Sequence, residues 1–179
     1  MATMARSFFQ SLYEKDPSVF PEEIVESFDR RVTDDMNEVL CKEFSEQEIG
    51  DALFQIGPLK APGPDSFPAR FFQRNWGLFK DDVIRGVHEF FRTGVMPEGV
   101  NDTAIVLIPK IAHPEKLADF RPISLCNVIY KVVSKCMVNR LRPLLHYLIS
   151  PNQSAFIPGR MITDNALIAF ECIHAIQHS

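Results

Sequence analysis

Apolar residues along the chain recur at helical spacing, switch once to an unbroken β-branched run, and return to helical spacing. In the first forty-odd residues Phe8, Phe9, Leu12 and Tyr13 share one helical face, and Pro17 and Pro21 break the stretch into short amphipathic helices. Ser45 followed by Glu48 has capping-box spacing and predicts a helix with Ile49, Leu53 and Ile56 on its buried side, stopped by Gly57 and Pro58. In Pro62-Gly63-Pro64-Asp65 the pattern predicts a type II turn with Gly63 at positive φ, after which Asp65 or Ser66 caps a helix through Phe71 and Phe72. A helix from about Leu78 to Phe91 is expected to bury Val83, Ile84, Val87, Phe90 and Phe91 and to end at Gly94.

Ala104-Ile105-Val106-Leu107-Ile108 reads as a strand, and Phe120 to Leu125 as its hairpin partner across a long turn. Beyond Asn127, the residues Tyr130, Val133, Met137, Leu141, Leu144 and Leu148 step by three or four, predicting a long helix interrupted at Pro143. A last helix from about Met161 is expected to bury Ile162, Ala166, Ala169, Phe170 and Ile173. The fold class is therefore α+β, predominantly helical, with one small hairpin.

With 179 residues and 46% apolar content the chain can bury a real core, which excludes disorder throughout. The run Ala104 to Pro109 is far shorter than the roughly 20 residues of a bilayer-spanning helix, and the start MATMARSFFQ lacks a signal-peptide apolar segment. A soluble protein with no membrane partner is expected. Cys41, Cys126, Cys136 and Cys172 contain no closely spaced pair, so they read as reduced thiols rather than a zinc ribbon or redox dithiol.

The net charge of −4 hides a partition: residues 1–53 carry five basic and 13 acidic side chains, residues 104–160 eight and two. Such a distribution suits a chain that presents one surface to phosphates, although a solvated charged face has the same composition. Lys110 just past the first strand and Arg121 inside the second can project from one hairpin tip, a point charge beside a bidentate fork that suits a triphosphate. Two cations on a hairpin are also ordinary solubilising residues. On the long helix Lys131, Lys135 and Arg142 fall within roughly 40° of one another at about 100° per residue. Arg140 falls near the apolar side and requires a carboxylate or phosphate partner.

Taken in order, Lys60 to Ser66 (KAPGPDS), Ile105 to Lys110 (IVLIPK), Asp119 to Leu125 (DFRPISL), Tyr130-Lys131, Asn139-Arg140-Leu141 and Gln153 to Asn165 (QSAFIPGRMITDN) resemble the reverse transcriptase of plant non-LTR retrotransposons, the long-interspersed-element type. The resemblance is best from Phe44 onward. It implies a variable helical lead-in over residues 1–43 and, over 44–179, the fingers and start of the palm of a right-hand polymerase. Lys110 and Arg121 match residues that grip the incoming dNTP. Lys60 and the PGPD turn match an upstream motif against the template; Lys131 and Arg140 match basic positions on the following helix. Gln153, Phe156, Gly159 and Arg160 match a segment of the template path. Nucleic-acid contacts are thus expected at Lys60, Lys131, Lys135, Arg140, Arg142, Gln153 and Arg160. Ser66 departs from the family, which usually has Gly there.

The resemblance also implies RNA template, DNA primer and dNTP as partners, action in the nucleus, and Mg²⁺ held by palm aspartates that lie beyond Ser179. On that reading the chain alone has no catalytic residue, no metal site and no polymerase activity. Phe79-Lys80-Asp81-Asp82 imitates the aromatic-x-Asp-Asp turn, but Val83, Ile84 and Val87 follow it at helical spacing, so its acids are expected in a first helical turn. His174, His178 and Cys172 read as residues of a terminal helix rather than a metal site, and Asp164, Asn165 and Glu171 as cap and surface. A non-catalytic nucleic-acid-binding module and an idle pseudogene product are the alternatives.

Overall fold

The structure is a computed structural model and describes residues 2–14 and 30–177. Pro17, Pro21 and His178 lie outside the described residues. Helix α1 (Ala2–Leu12) opens the chain, and of its expected apolar face Phe9 is buried while Phe8, Leu12 and Tyr13 are exposed. Helix α2 (Asp34–Cys41) is capped by Thr33, whose hydroxyl accepts from the Met36 amide.

The core forms where α3 (Glu46–Phe54), α4 (Ala69–Arg74), α5 (Trp76–Thr93) and α6 (Val128–Leu141) meet. Ser45 and Glu48 form the expected capping box: the Ser45 hydroxyl accepts from the Glu48 amide at 3.2 Å, and the Ser45 amide donates to the Glu48 carboxylate at 2.8 Å. That start aims Ile49, Ala52, Leu53 and Ile56 at Val83, Ile84 and Val87 of α5 and at Val128, Val132, Val133 and Cys136 of α6. The end of α3 is closed from outside by Gln73, whose amide donates to the Leu53 and Ile56 carbonyls at 3.0 and 2.9 Å. Gly94 at φ +71° stops α5, a backbone state glycine reaches without Cβ strain.

Strands β1 (Thr103–Pro109) and β2 (Phe120–Cys126) pair antiparallel, with Val106 opposite Ile123, Ile108 opposite Arg121 and Pro109 opposite Phe120. A 3₁₀ turn at Leu117–Asp119 precedes β2. Pro143 ends α6 as expected: a 3₁₀ turn (Arg142–Leu144) and the short α7 (Leu145–Leu148) replace its continuation. Helix α8 (Ile162–Gln177) follows the 150–160 loop.

Several expectations are corrected. Gly63 is not among the residues at positive φ; Ser66 is, at +64°. Asp65 and Ser66 cap no helix: Pro68 is the N-cap of α4, and the Asp65 carboxylate instead accepts from the Phe67 amide in a local turn. The buried stripe of α6 is Val128, Val132, Val133 and Cys136, while Met137 and Leu141 are exposed. Phe91 lies at the surface. Asp81 and Asp82 are helical as expected but sit in the second turn of α5, where Asp82 pairs with Arg85. Every residue of α8 is exposed, including Ile162, Ala166, Ala169, Phe170 and Ile173.

Candidate nucleic-acid interface

The hairpin is positioned by its own ladder. Side chains alternate along a strand, so the register puts Val106, Ile108 and Lys110 on the same face as Arg121 and Ile123. Val106, Ile108 and Ile123 are exposed on that face. The Lys110 amide closes the ladder on the Asp119 carbonyl at 2.7 Å, and its ammonium donates to the Ala118 carbonyl at 2.7 Å. Arg121 is exposed and has no side-chain partner among the described residues. The two cations therefore share one face, and neither is neutralised by an acid.

Lys60 opens a strap, residues 60–66, that turns at Pro64-Asp65 and lies on the first turns of α6. The Lys131 ammonium donates to the Ala61 carbonyl at 2.7 Å, and the Asn127 carboxamide oxygen accepts from the Asp65 amide at 3.2 Å. A Cβ on Gly63 would stand 2.1 Å from that oxygen and 2.4 Å from the Asn127 backbone nitrogen, so close approach is what requires glycine there. Lys131 and Lys135, four residues apart, share a face of α6 and are half-buried. Arg142, exposed in the 3₁₀ turn, lines a groove with Glu48, Asp51 and Asn139 without forming an ion pair.

The 150–160 loop is held by Arg160, whose guanidinium donates to the carbonyls of Ser150 at 2.6 Å, Gln153 at 2.8 Å and Ile149 at 3.5 Å. Gln153 is exposed. Between the buried Ser154 and Ile157 the loop projects Phe156, 98% exposed and at φ +64°. Asn127 does not stand out in the sequence, and Phe156 does so only through the family motif that contains it. An Asn before an apolar helix reads as an ordinary N-cap, and only the Pro-Gly that follows Phe156 hints at an irregular loop.

Arg140 is turned inward. Its side chain is 8% exposed; Nε and Nη2 donate to the two Glu48 carboxylate oxygens at 2.9 and 3.1 Å. The remaining donors reach the carbonyls of Leu40, Lys42 and Glu43, and the guanidinium carbon sits 3.5 Å from the centre of the Phe44 ring. The carboxylate demanded by its position is Glu48, so the expectation of a nucleic-acid contact at Arg140 is corrected to a structural clamp between α3 and α6. Hydrogen bonds from Arg140 hold the Glu48 carboxyl down at about 2, well below the usual carboxylate range. Burial pushes the neighbouring Cys136 thiol up to about 11.

Ion pairs gather along α5 and at Arg140. Lys80 pairs with Glu46, Arg85 with Asp82, Arg92 with Glu89 and Arg140 with Glu48. A cleft of about 1010 Å³ lined by Phe44, Ile84, His88 and Met137 is edged by three of these arginines, all already neutralised. By contrast Lys60, Lys110, Arg121, Lys131, Lys135, Arg142 and Arg160 pair with no acid among the described residues, and the same holds for Lys42, Arg70 and Arg74. No group of three or more His, Cys, Asp or Glu side chains that could hold a metal ion occurs among the described residues. Asp164 accepts from the Met161 amide as a cap. None of the described helices is long and apolar enough to cross a membrane.

Residues 108–179 match the reverse transcriptase (RNA-dependent DNA polymerase) family. Over 172 residues, 95% of this chain, the sequence is 33% identical to the Transposon TX1 uncharacterized 149 kDa protein of Xenopus laevis. Over 108 residues, 60% of the chain, it is 26% identical to the retrovirus-related Pol polyprotein from the type-2 retrotransposable element R2DM of Drosophila melanogaster. The matched stretches are 13% and 10% of those two proteins, so the chain spans a small part of the relatives it matches. Residues 108–179 are thus part of a reverse transcriptase domain, and the chain as a whole is similar, over 95% and 60% of its length, to two proteins of the non-LTR retrotransposon type.

Proposed function

We propose that residues 44–179 are the polyanion-holding part of this reverse transcriptase domain, binding RNA template, DNA primer and incoming dNTP, with residues 1–43 a variable lead-in. The observation that carries the reading is a run of unmatched cations. The lysine and arginines of α5, and Arg140, are matched with acids, whereas the cations of the hairpin, the strap and the 150–160 loop, with Lys131, Lys135 and Arg142, are not matched among the described residues, and neither are Arg70 and Arg74 beside the strap. An exposed cation without an acid neighbour keeps its full charge for a phosphate, and binding then releases condensed counterions. Lys110 and Arg121 supply a point charge and a planar fork on one hairpin face, fitted to the oxygens of a triphosphate. On the 150–160 loop Arg160 fixes the backbone and Gln153 stays exposed.

The role proposed for the isolated chain is binding without phosphoryl transfer, because its described side chains offer no cluster to hold two metal ions. The test is titration of fluorescently labelled single-stranded RNA with the purified chain at several salt concentrations. Affinity is expected to fall steeply with salt, and the joint change Lys131→Gln, Lys135→Gln, Arg142→Gln to flatten the log–log slope by about 2, at about 0.7 per lost phosphate contact. Binding indifferent to salt, a slope untouched by the triple change, or primer extension by the isolated chain with Mg²⁺ would each overturn the reading.

A further inference from the structure

The buried side chain of Asn127 is used in an unusual way. It occupies the N-cap position of α6, with the extended backbone expected there (φ −63°, ψ 156°), yet makes no capping hydrogen bond. Its carboxamide instead joins two distant segments. The oxygen accepts from the Asp65 amide at 3.2 Å, and the nitrogen donates to the Gly99 carbonyl at 2.9 Å and the Val100 carbonyl at 3.3 Å. Gly63 lies against the same group with no room for a Cβ. One helical turn later the Lys131 ammonium is bonded to the Ala61 carbonyl, the residue directly after Lys60.

Asn127 thus forgoes the local stabilisation that an N-cap side chain ordinarily supplies, in favour of holding the strap. What the strap carries at its exposed edge is a lysine, and what α6 carries one turn along is another. From this we propose that Asn127 is a positioning residue for polyanion binding: it locks strap residues 61–65 onto α6 so that Lys60 and Lys131 address the same run of phosphates. The Lys131 ammonium uses one donor on Ala61 and has two left for a phosphate. This inference rests on the polyanion-binding reading above.

The experiment follows RNA binding by the full chain across salt concentrations, comparing Asn127→Ala and Gly63→Ala, each with and without Lys60→Gln. Gly63→Ala keeps the Asn127 side chain and forces the strap away, so it carries the test if Asn127→Ala does not fold. In the wild-type background Lys60→Gln is expected to lower the log–log slope by about 0.7, one phosphate contact on a single strand. Each strap variant is expected to lower it by the same amount, and adding Lys60→Gln is then expected to change nothing more. A purely structural role would lower the melting temperature and leave the slope alone. A folded strap variant with the wild-type slope, or a Lys60→Gln effect of equal size in every background, overturns this proposal while leaving the parent reading standing. Salt-indifferent binding by the wild type overturns both.

Discussion

Replacing Arg140 with Met tests whether this arginine is a clamp or a ligand for nucleic acid. The change keeps the stem that packs on Phe44 and removes the fork that joins α6 to Glu48 and to three carbonyls. Lowering the Glu48 carboxyl from 4.5 to about 2 corresponds to about 3.4 kcal/mol at about 1.4 kcal/mol per pH unit. The Ser45 hydrogen bonds share that shift, and the Glu48 side chain is 42% exposed, so the part carried by Arg140 is at most roughly half, about 1.7 kcal/mol. Carbonyls left without their charged donor add about 1 to 2 kcal/mol. The expected loss at neutral pH is therefore about 3 kcal/mol, read as a shift of the urea midpoint. The folded-state value lies below the unfolded one, so the Glu48 contribution is complete above pH 4.5 and fades as the pH falls toward 2. The gap between wild type and Arg140→Met should accordingly narrow over that window. A loss under about 1 kcal/mol, a gap that does not change with pH, or a flatter salt slope in RNA binding for the folded variant would refute the clamp.

Two further outcomes are expected. Ser66→Gly relieves a left-handed residue at φ +64°; the strain of about 1 to 2 kcal/mol exceeds the extra chain entropy of glycine, about 0.5 to 1 kcal/mol. The melting temperature should rise by about 2 °C, and a fall would show that the Ser66 side chain contributes something the backbone does not reveal. In thiol labelling of the native protein at pH 8, Cys41 and Cys172 should react quickly, and Cys136, 1% exposed with its thiol pushed up to about 11, only on unfolding. Fast labelling of Cys136 without denaturant would contradict the packing of α3 on α6.

What could be read from the sequence is what neighbouring residues decide among themselves. The Ser45–Glu48 box, the Gly94 stop, the break at Pro143 and the hairpin each follow from contacts a few residues apart or from β-branched patterning. The face of α6 was not legible, because Val128, Ile129, Tyr130, Val132, Val133, Cys136, Met137 and Val138 surround the helix and no period selects one side. Gly63 shows a second kind of failure: glycine serves positive φ and close approach equally well, and sequence alone does not separate them. The need of Arg140 for a partner was readable, but the partner is 92 residues away. Lys110 and Arg121 share a face by strand alternation alone, whereas the link from Lys131 to the strap spans 70 residues and needed the fold.

The unmatched apolar rod of α8 has a bearing on how the molecule behaves in a test tube. Ile162, Leu167, Ile168, Phe170, Ile173 and Ile176 are exposed on a helix whose first turn is tied to the 150–160 loop, where Asn165 donates to Asn152 and Ser154. Water tolerates such a surface poorly, so added detergent or a helical companion should quieten its tendency to clump, while the four-helix nucleus, already closed on itself, stays indifferent to either.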